Sequence, residues 1–100
     1  TFTEGSEVTT GLWKDGRIGV MRGTRAGSHS YGFVAWTDKG VRQVSIDAGY
    51  IYRELLKRIV QMFQTGKSPL DNAETIEIVA FQVAALQSAQ KGGERVALDL

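Results

Sequence analysis

Two apolar periodicities joined by a short corner occupy the second half of the chain and restrict its fold more than any other feature. From Ile51 to Thr65, the residues Ile51, Leu55, Leu56, Ile59, Val60, Met62 and Phe63 recur at helical spacing, with Arg53, Lys57, Arg58, Gln61 and Gln64 outside that stripe. Gly66 follows the last periodic residue, where helices commonly close in the left-handed conformation. Pro69 then precedes Asp71-Asn72-Ala73-Glu74, which has the spacing of a capping box and predicts a second helix start. That helix is expected to run to Lys91 with Ile76, Val79, Ala80, Val83, Ala84 and Leu86 as its buried stripe, and Gly92-Gly93 breaks it. Beyond the break, Arg95-Val96-Ala97-Leu98 alternates as a closing strand would.

The first half reads as strands. Residues Glu7 to Lys14 and Arg17 to Thr24 flank Asp15-Gly16, a pair suited to a two-residue hairpin loop. That loop sets Lys14 opposite Arg17, Trp13 facing Ile18 and Gly11 facing Val20, with Leu12 facing Gly19 and Thr10 facing Met21 on the other side. A second hairpin is expected from Ser30 to Thr37 and Val41 to Ile46, joined by Asp38-Lys39-Gly40 with the glycine at positive φ. Phe33 and Ala35 alternate with Val34 and Trp36, so both faces carry large apolar groups, a pattern that requires cover on each side. The order of strands, then two helices, then a strand predicts an α+β class: an antiparallel sheet of two hairpins plus a closing C-terminal strand, with two helices packed on one face. The other face is left for a partner.

A chain of 100 residues with 42% hydrophobic and 23% charged residues is one domain, and is expected to bury roughly 60–68% of its unfolded surface. Its net charge of +1 provides little long-range attraction to nucleic acid or anionic lipid. Cysteine is absent, which removes disulfides and thiol chemistry and fits a cytoplasmic location. The apolar runs are too short and interrupted to predict a membrane-spanning helix. The chain opens on Thr1-Phe2-Thr3-Glu4 without an initiator Met, as a fragment of a longer protein would.

The pattern of Tyr52, Glu54-Leu55, Ile59, Phe63, Thr65-Gly66-Lys67 and Pro69, followed by Glu74-Thr75, Glu77-Ile78-Val79, Ala84-Ala85, Ser88, Gly92-Gly93, Val96 and Leu98, resembles the C-terminal end of the Gfo/Idh/MocA family. These are the glucose-fructose oxidoreductase and inositol dehydrogenase-like enzymes. Upstream, Trp13-Lys14-Asp15-Gly16-Arg17-Ile18-Gly19 and Tyr31-Gly32 also resemble the sheet of that family's C-terminal domain, so the likeness spans nearly the whole chain and is densest from Tyr52 onward. It implies a two-domain enzyme in which an N-terminal Rossmann domain, missing here, holds NAD or NADP. The C-terminal α+β domain would wall the pocket of a small-molecule substrate, a sugar, polyol or related hydroxyl compound, and form a homo-oligomer through the sheet. The family's glycine-rich phosphate loop, its Glu-Lys-Pro-like segment and its acid-base residues lie N-terminal to the matched region. This chain therefore carries no catalytic or cofactor-binding residue of that set, and no cofactor is expected on it alone.

Among the residues present, Arg22, Arg25, His29 and Tyr31 gather around Gly23–Ser30, a loop with donors for the hydroxyl or carboxylate groups of a small polar substrate. The plain alternative is a solvated connection, and His29 a solvated loop histidine beside its proton-shuttling reading. Trp13, Ile18, Phe33 and Trp36 are the candidates for the oligomer interface. Gly16 with Gly19 and Gly23 with Gly27 do not open a helix after a strand, so neither pair is a dinucleotide fingerprint. The hairpin arginines beside Trp13, Trp36 and Tyr31 solvate a sheet more readily than they bind single-stranded nucleic acid, and no nucleic-acid or membrane partner and no metal is expected. The competing class is a non-catalytic, stand-alone binding or assembly module.

Overall fold

A computed structural model describes residues 1–98 and 100. In chain order the elements are β1 (Ser6–Leu12), β2 (Ile18–Thr24), β3 (Tyr31–Thr37), β4 (Gly40–Ile46), a single 3-10 turn (Ala48–Tyr50), α1 (Ile51–Thr65) and α2 (Asn72–Gln90). The fold is α+β, with two separate two-stranded antiparallel sheets, β1 with β2 and β3 with β4. The hairpins are thus not joined in one sheet. The chain divides into two compact units, Thr1–Gly27 with Leu70–Leu100, and Ser28–Pro69.

In the first unit the register differs by one residue from the two-residue loop expected above. Leu12 pairs with Ile18, Gly11 with Gly19 and Thr10 with Val20. The turn explains the slip. Gly16 N–H donates to Trp13 O at 3.0 Å and Trp13 N–H donates to Arg17 O at 2.9 Å, which leaves Lys14-Asp15-Gly16 as a three-residue loop. Only Gly16 takes positive φ, at 90°, so Asp15 avoids the left-handed strain that the shorter loop would impose. The Asp15 carboxylate instead accepts from Arg17 N–H at 3.1 Å and from Arg17 Nε at 2.7 Å, which fixes the loop from inside.

The shifted register sorts the two faces of this hairpin. Glu7, Thr9 and Gly11 with Gly19, Met21 and Gly23 are half-buried, whereas Val8, Thr10 and Leu12 with Ile18, Val20 and Arg22 are exposed. α2 covers the first of these. Trp13 stacks on Phe81 with ring centroids 5.7 Å apart and an interplanar angle of 12°, and its Nε1 donates to Glu77 Oε1 at 2.5 Å. The indole lies over the facing glycines: a Cβ on Gly19 would meet Trp13 Cζ3 at 2.9 Å, and one on Gly11 would meet Phe81 Cε2 at 2.6 Å.

α2 starts as expected, with the Asp71 carboxylate accepting from Ala73 N–H at 3.0 Å. It stops as expected too: Gly92 and Gly93 take φ of 72° and 94°, and Gly93 N–H donates to Ser88 O at 2.8 Å. Its buried face matches the expected one only at Ala80 and Ala84. Glu77, Ala80, Phe81, Ala84, Ala85, Ser88 and Ala89 are the half-buried or buried positions, and Ile76, Val79, Val83 and Leu86 are exposed. The half-buried face is the one from which Phe81 and Glu77 reach the Trp13 indole. Ala85, 8% exposed, is the one buried residue among those described.

The closing strand does not form. Residues 95–98 pair with no strand among the described residues, although Val96 and Leu98 alternate as half-buried positions with exposed Arg95 and Ala97. The alternation therefore reports burial without a ladder. Ser88 Oγ donates to Glu94 O at 2.7 Å and sets the path of the chain as it leaves the helix.

In the second unit Tyr31 pairs with Ile46, Phe33 with Val44 and Trp36 with Val41. The turn is tighter than read from the sequence: Thr37 pairs with Gly40, which leaves Asp38-Lys39 as a two-residue loop and places Gly40, at φ 131°, at the start of β4 instead of in a left-handed loop position. Asp47 caps the 3-10 turn by accepting from Gly49 N–H at 2.9 Å, and α1 follows directly. α1 closes on Gly66, at φ 67°, whose N–H donates to Met62 O at 2.8 Å. Met62 is its only half-buried residue; Leu55, Leu56, Val60 and Phe63 are exposed.

Candidate functional site: the outward faces of the two units

The four residues proposed to touch substrate do not assemble within either unit. Arg22 and Arg25 belong to the first, His29 and Tyr31 to the second. Arg22 sits opposite Val8 on the exposed face of the first hairpin. Tyr31 opens β3 and is exposed, and His29 lies in the segment before it.

Arg25 has a structural assignment that its sequence context did not announce. Its Nε donates to Glu4 O at 3.2 Å, one terminal nitrogen to Thr3 O at 2.6 Å and the other to Glu7 Oε1 at 2.9 Å. The guanidinium also lies 4.3 Å from the centroid of the Phe2 ring. One side chain thereby satisfies two turn carbonyls and a carboxylate, holding residues 1–5 against the start of β1. Arg25 N–H and Ala26 N–H both donate to Gly5 O, at 2.9 and 3.2 Å, so the backbone closes the same clasp.

The interface candidates separate by face. Trp13 is half-buried against Phe81, while Ile18, 70% exposed, lies on the opposite face; the slipped register is the reason they do not share one, as the two-residue loop had implied. In the second unit Phe33 and Trp36 likewise fall on opposite faces of β3, since they stand three residues apart. Trp36 is 77% exposed and pairs with the exposed Val41. What the structure does bring together is an apolar surface on the first hairpin, formed by Val8, Leu12, Ile18 and Val20, and a second one along Ile76, Val79, Val83 and Leu86 of α2. Both groups are exposed aliphatic side chains, the first flanked by Thr10 and Arg22 on the same face of the hairpin, and clusters of this kind mark contact surfaces. The spacing of the second set at i, i+3, i+7 and i+10 was visible in the sequence; its orientation was not.

The electrostatics of the described residues are local. Hydrogen bonding from Arg17 N–H, aided by its side chain, holds the Asp15 carboxyl below 3.8, the ordinary value. Hydrogen bonding from Lys57, at 3.0 Å, lowers Glu54 below 4.5. Both carboxylates are exposed and neither stands in a cleft. Among the described residues no group of three or more His, Asp or Glu side chains is placed to hold a metal, and no helix is long and apolar enough to cross a membrane.

The residues do not fit a dinucleotide. A pyrophosphate takes the free N-terminus of a helix that follows a strand and a glycine-rich turn. Here the N-terminus of α2 is occupied by the Asp71 carboxylate, which would repel an anion, and α1 continues from a 3-10 turn capped by Asp47. No family model, curated protein or solved structure matches the chain.

Proposed function

We propose that this chain is the C-terminal domain of an NAD(P)-dependent oxidoreductase acting on a sugar, polyol or related hydroxyl compound, where it forms part of the substrate pocket and the oligomer interface. The observation that carries the reading is the pairing of motif and architecture. Among the residues that resemble the Gfo/Idh/MocA C-terminal end, Gly66 and Gly92-Gly93 follow the two helices of an α+β fold and Pro69 lies in the corner between them. Aliphatic faces bare of cover on the first hairpin and on α2 support a domain that packs against further protein. The hydride chemistry would belong to a nicotinamide held elsewhere in the parent, and this chain's contribution would be shape and contact.

The test is to express the reading frame with whatever it encodes upstream of Thr1. Binding of NADH or NADPH, followed by oxidation of a member of a sugar and polyol panel, is the expected result. A product that binds neither nucleotide and oxidises nothing in the panel would remove the enzyme reading and leave the binding or assembly module.

A further inference from the structure

The open edge of β1 is already started on by another stretch of backbone. Thr1 N donates to Val8 O at 2.8 Å, and Val8 N–H donates to Thr1 O at 2.8 Å. Phe2 bridges Glu7 antiparallel, and Thr3 N–H donates to Ser6 O at 2.8 Å. Residues 1–3 therefore lie beside β1 as the first rungs of a third strand, on the edge away from β2. The reversal at Glu4-Gly5 is clamped by Arg25 as described above. This pairing is directional. Trp13 N–H, just past β1, bonds across to Arg17 O, just before β2, so residues of odd number in β1 face β2 and residues of even number face outward. Val8 has both outward groups bonded, while Thr10 and Leu12 present theirs to an edge where no strand is paired.

We propose that the residues immediately preceding Thr1 in the parent chain continue this strand along β1, pairing two positions before Thr1 with Thr10 and four positions before it with Leu12. The inference rests on the reading of the chain as the end of a longer protein, and names the surface on which the rest of that protein joins it. The bond from Thr1 N needs no change, because a peptide N–H makes it as well as a terminal amine. Two-stranded sheets are marginal alone, and a third strand supplies the missing rungs. It also covers an edge that otherwise invites pairing with foreign chains.

The experiment compares amide hydrogen exchange in the 100-residue chain and in the longer gene product, residue by residue. Thr10 and Leu12 are expected to slow by about 100-fold in the longer product, while Thr9 and Gly11, which face β2, stay protected in both. Thr10 and Leu12 exchanging equally fast in the two proteins would overturn the proposal, as would a gene with no codons before Thr1. As a second measure, Thr10→Pro removes the outward N–H. It should lower the unfolding midpoint of the longer product more than that of the short chain; equal shifts would count against the strand. Nucleotide binding is read separately. Protection without it would sink the enzyme reading and keep the strand, and binding without protection would do the reverse.

Discussion

Replacing Gly11 with alanine tests how the first hairpin and α2 are held together. The new Cβ would meet Phe81 Cε2 at 2.6 Å and Trp13 Cζ3 at 2.8 Å, where ordinary contact begins at 3.4 Å. The two stacked rings would have to retreat by about 0.8 Å, the difference between 3.4 and 2.6 Å, and the indole cannot do so freely because Glu77 holds its Nε1. Overpacking of this kind costs about 1–3 kcal/mol, offset by about 0.4–1 kcal/mol from the reduced freedom of the unfolded chain. A net loss of about 1–2 kcal/mol corresponds to a fall in Tm of about 5–15 °C for a domain of this size. Gly19→Ala should cost less, since its Cβ would meet only the indole, at 2.9 Å. The assay is thermal unfolding by far-ultraviolet circular dichroism at matched protein concentration. The decisive comparison uses Phe81→Ala: with the phenyl ring gone, the Gly11→Ala penalty should shrink by about 0.5–1.5 kcal/mol, while that of Gly19→Ala should change little. A Gly11→Ala variant as stable as the parent chain, or a penalty indifferent to Phe81, would refute the packing described.

Four further outcomes follow from the same structure. Asp71→Ala removes the acceptor for Ala73 N–H and should lower stability by about 0.5–2 kcal/mol, recovered largely by Asp71→Ser, as read by urea unfolding. The Asp15 carboxyl should titrate below 3.8 by NMR; because its pKa is lowered on folding, its stabilising contribution is present above that pH and is lost as the pH falls through the folded value. Arg17→Gln should leave a substantial part of that depression, since the largest cause is the Arg17 backbone N–H, and a return to 3.8 would show that the guanidinium was responsible. Val83→Glu on the exposed flank of α2 should change unfolding free energy by less than about 0.5 kcal/mol and weaken any self-association seen by sedimentation equilibrium; a loss of several kcal/mol would mean that the flank is buried.

Local chemistry was the legible part of the sequence. Gly66, Asp71 and Gly92-Gly93 act within a turn or two of their own position, so both helix boundaries could be placed from neighbouring residues alone. The Asp15-Gly16 turn was ambiguous because a glycine at positive φ serves a two-residue and a three-residue loop equally well. What separates them is whether Asp15 also turns left-handed or spends its carboxylate on Arg17. One residue of register then exchanged the faces of the hairpin, placing Trp13 and Ile18 on opposite sides. The α2 face was misread for a different reason. Ranking by hydrophobicity picked out Ile76, Val79, Val83 and Leu86 along with Ala80 and Ala84, and only the two alanines lie on the half-buried face that carries Phe81 and Glu77, the partners of Trp13. Of the substrate candidates, Arg25 was legible as a donor and not as a clasp, because its acceptors Glu4 O and Thr3 O are some twenty residues away in sequence and belong to the backbone, which leaves no side-chain signature.

The division of α2 into a slender flank of alanines and a broad flank of branched residues has a consequence for how the chain can vary. Ala80, Ala84 and Ala85 lie on the covered flank, where a larger side chain has less room than on the exposed one. Ile76, Val79, Val83 and Leu86 answer only to whatever lies beyond, so they can drift with a changing neighbour while the attachment to the hairpin stays as it is. One helix thus keeps two independent ledgers of tolerance, and a library randomised on the broad flank should yield folded variants far more often than one randomised on the slender flank.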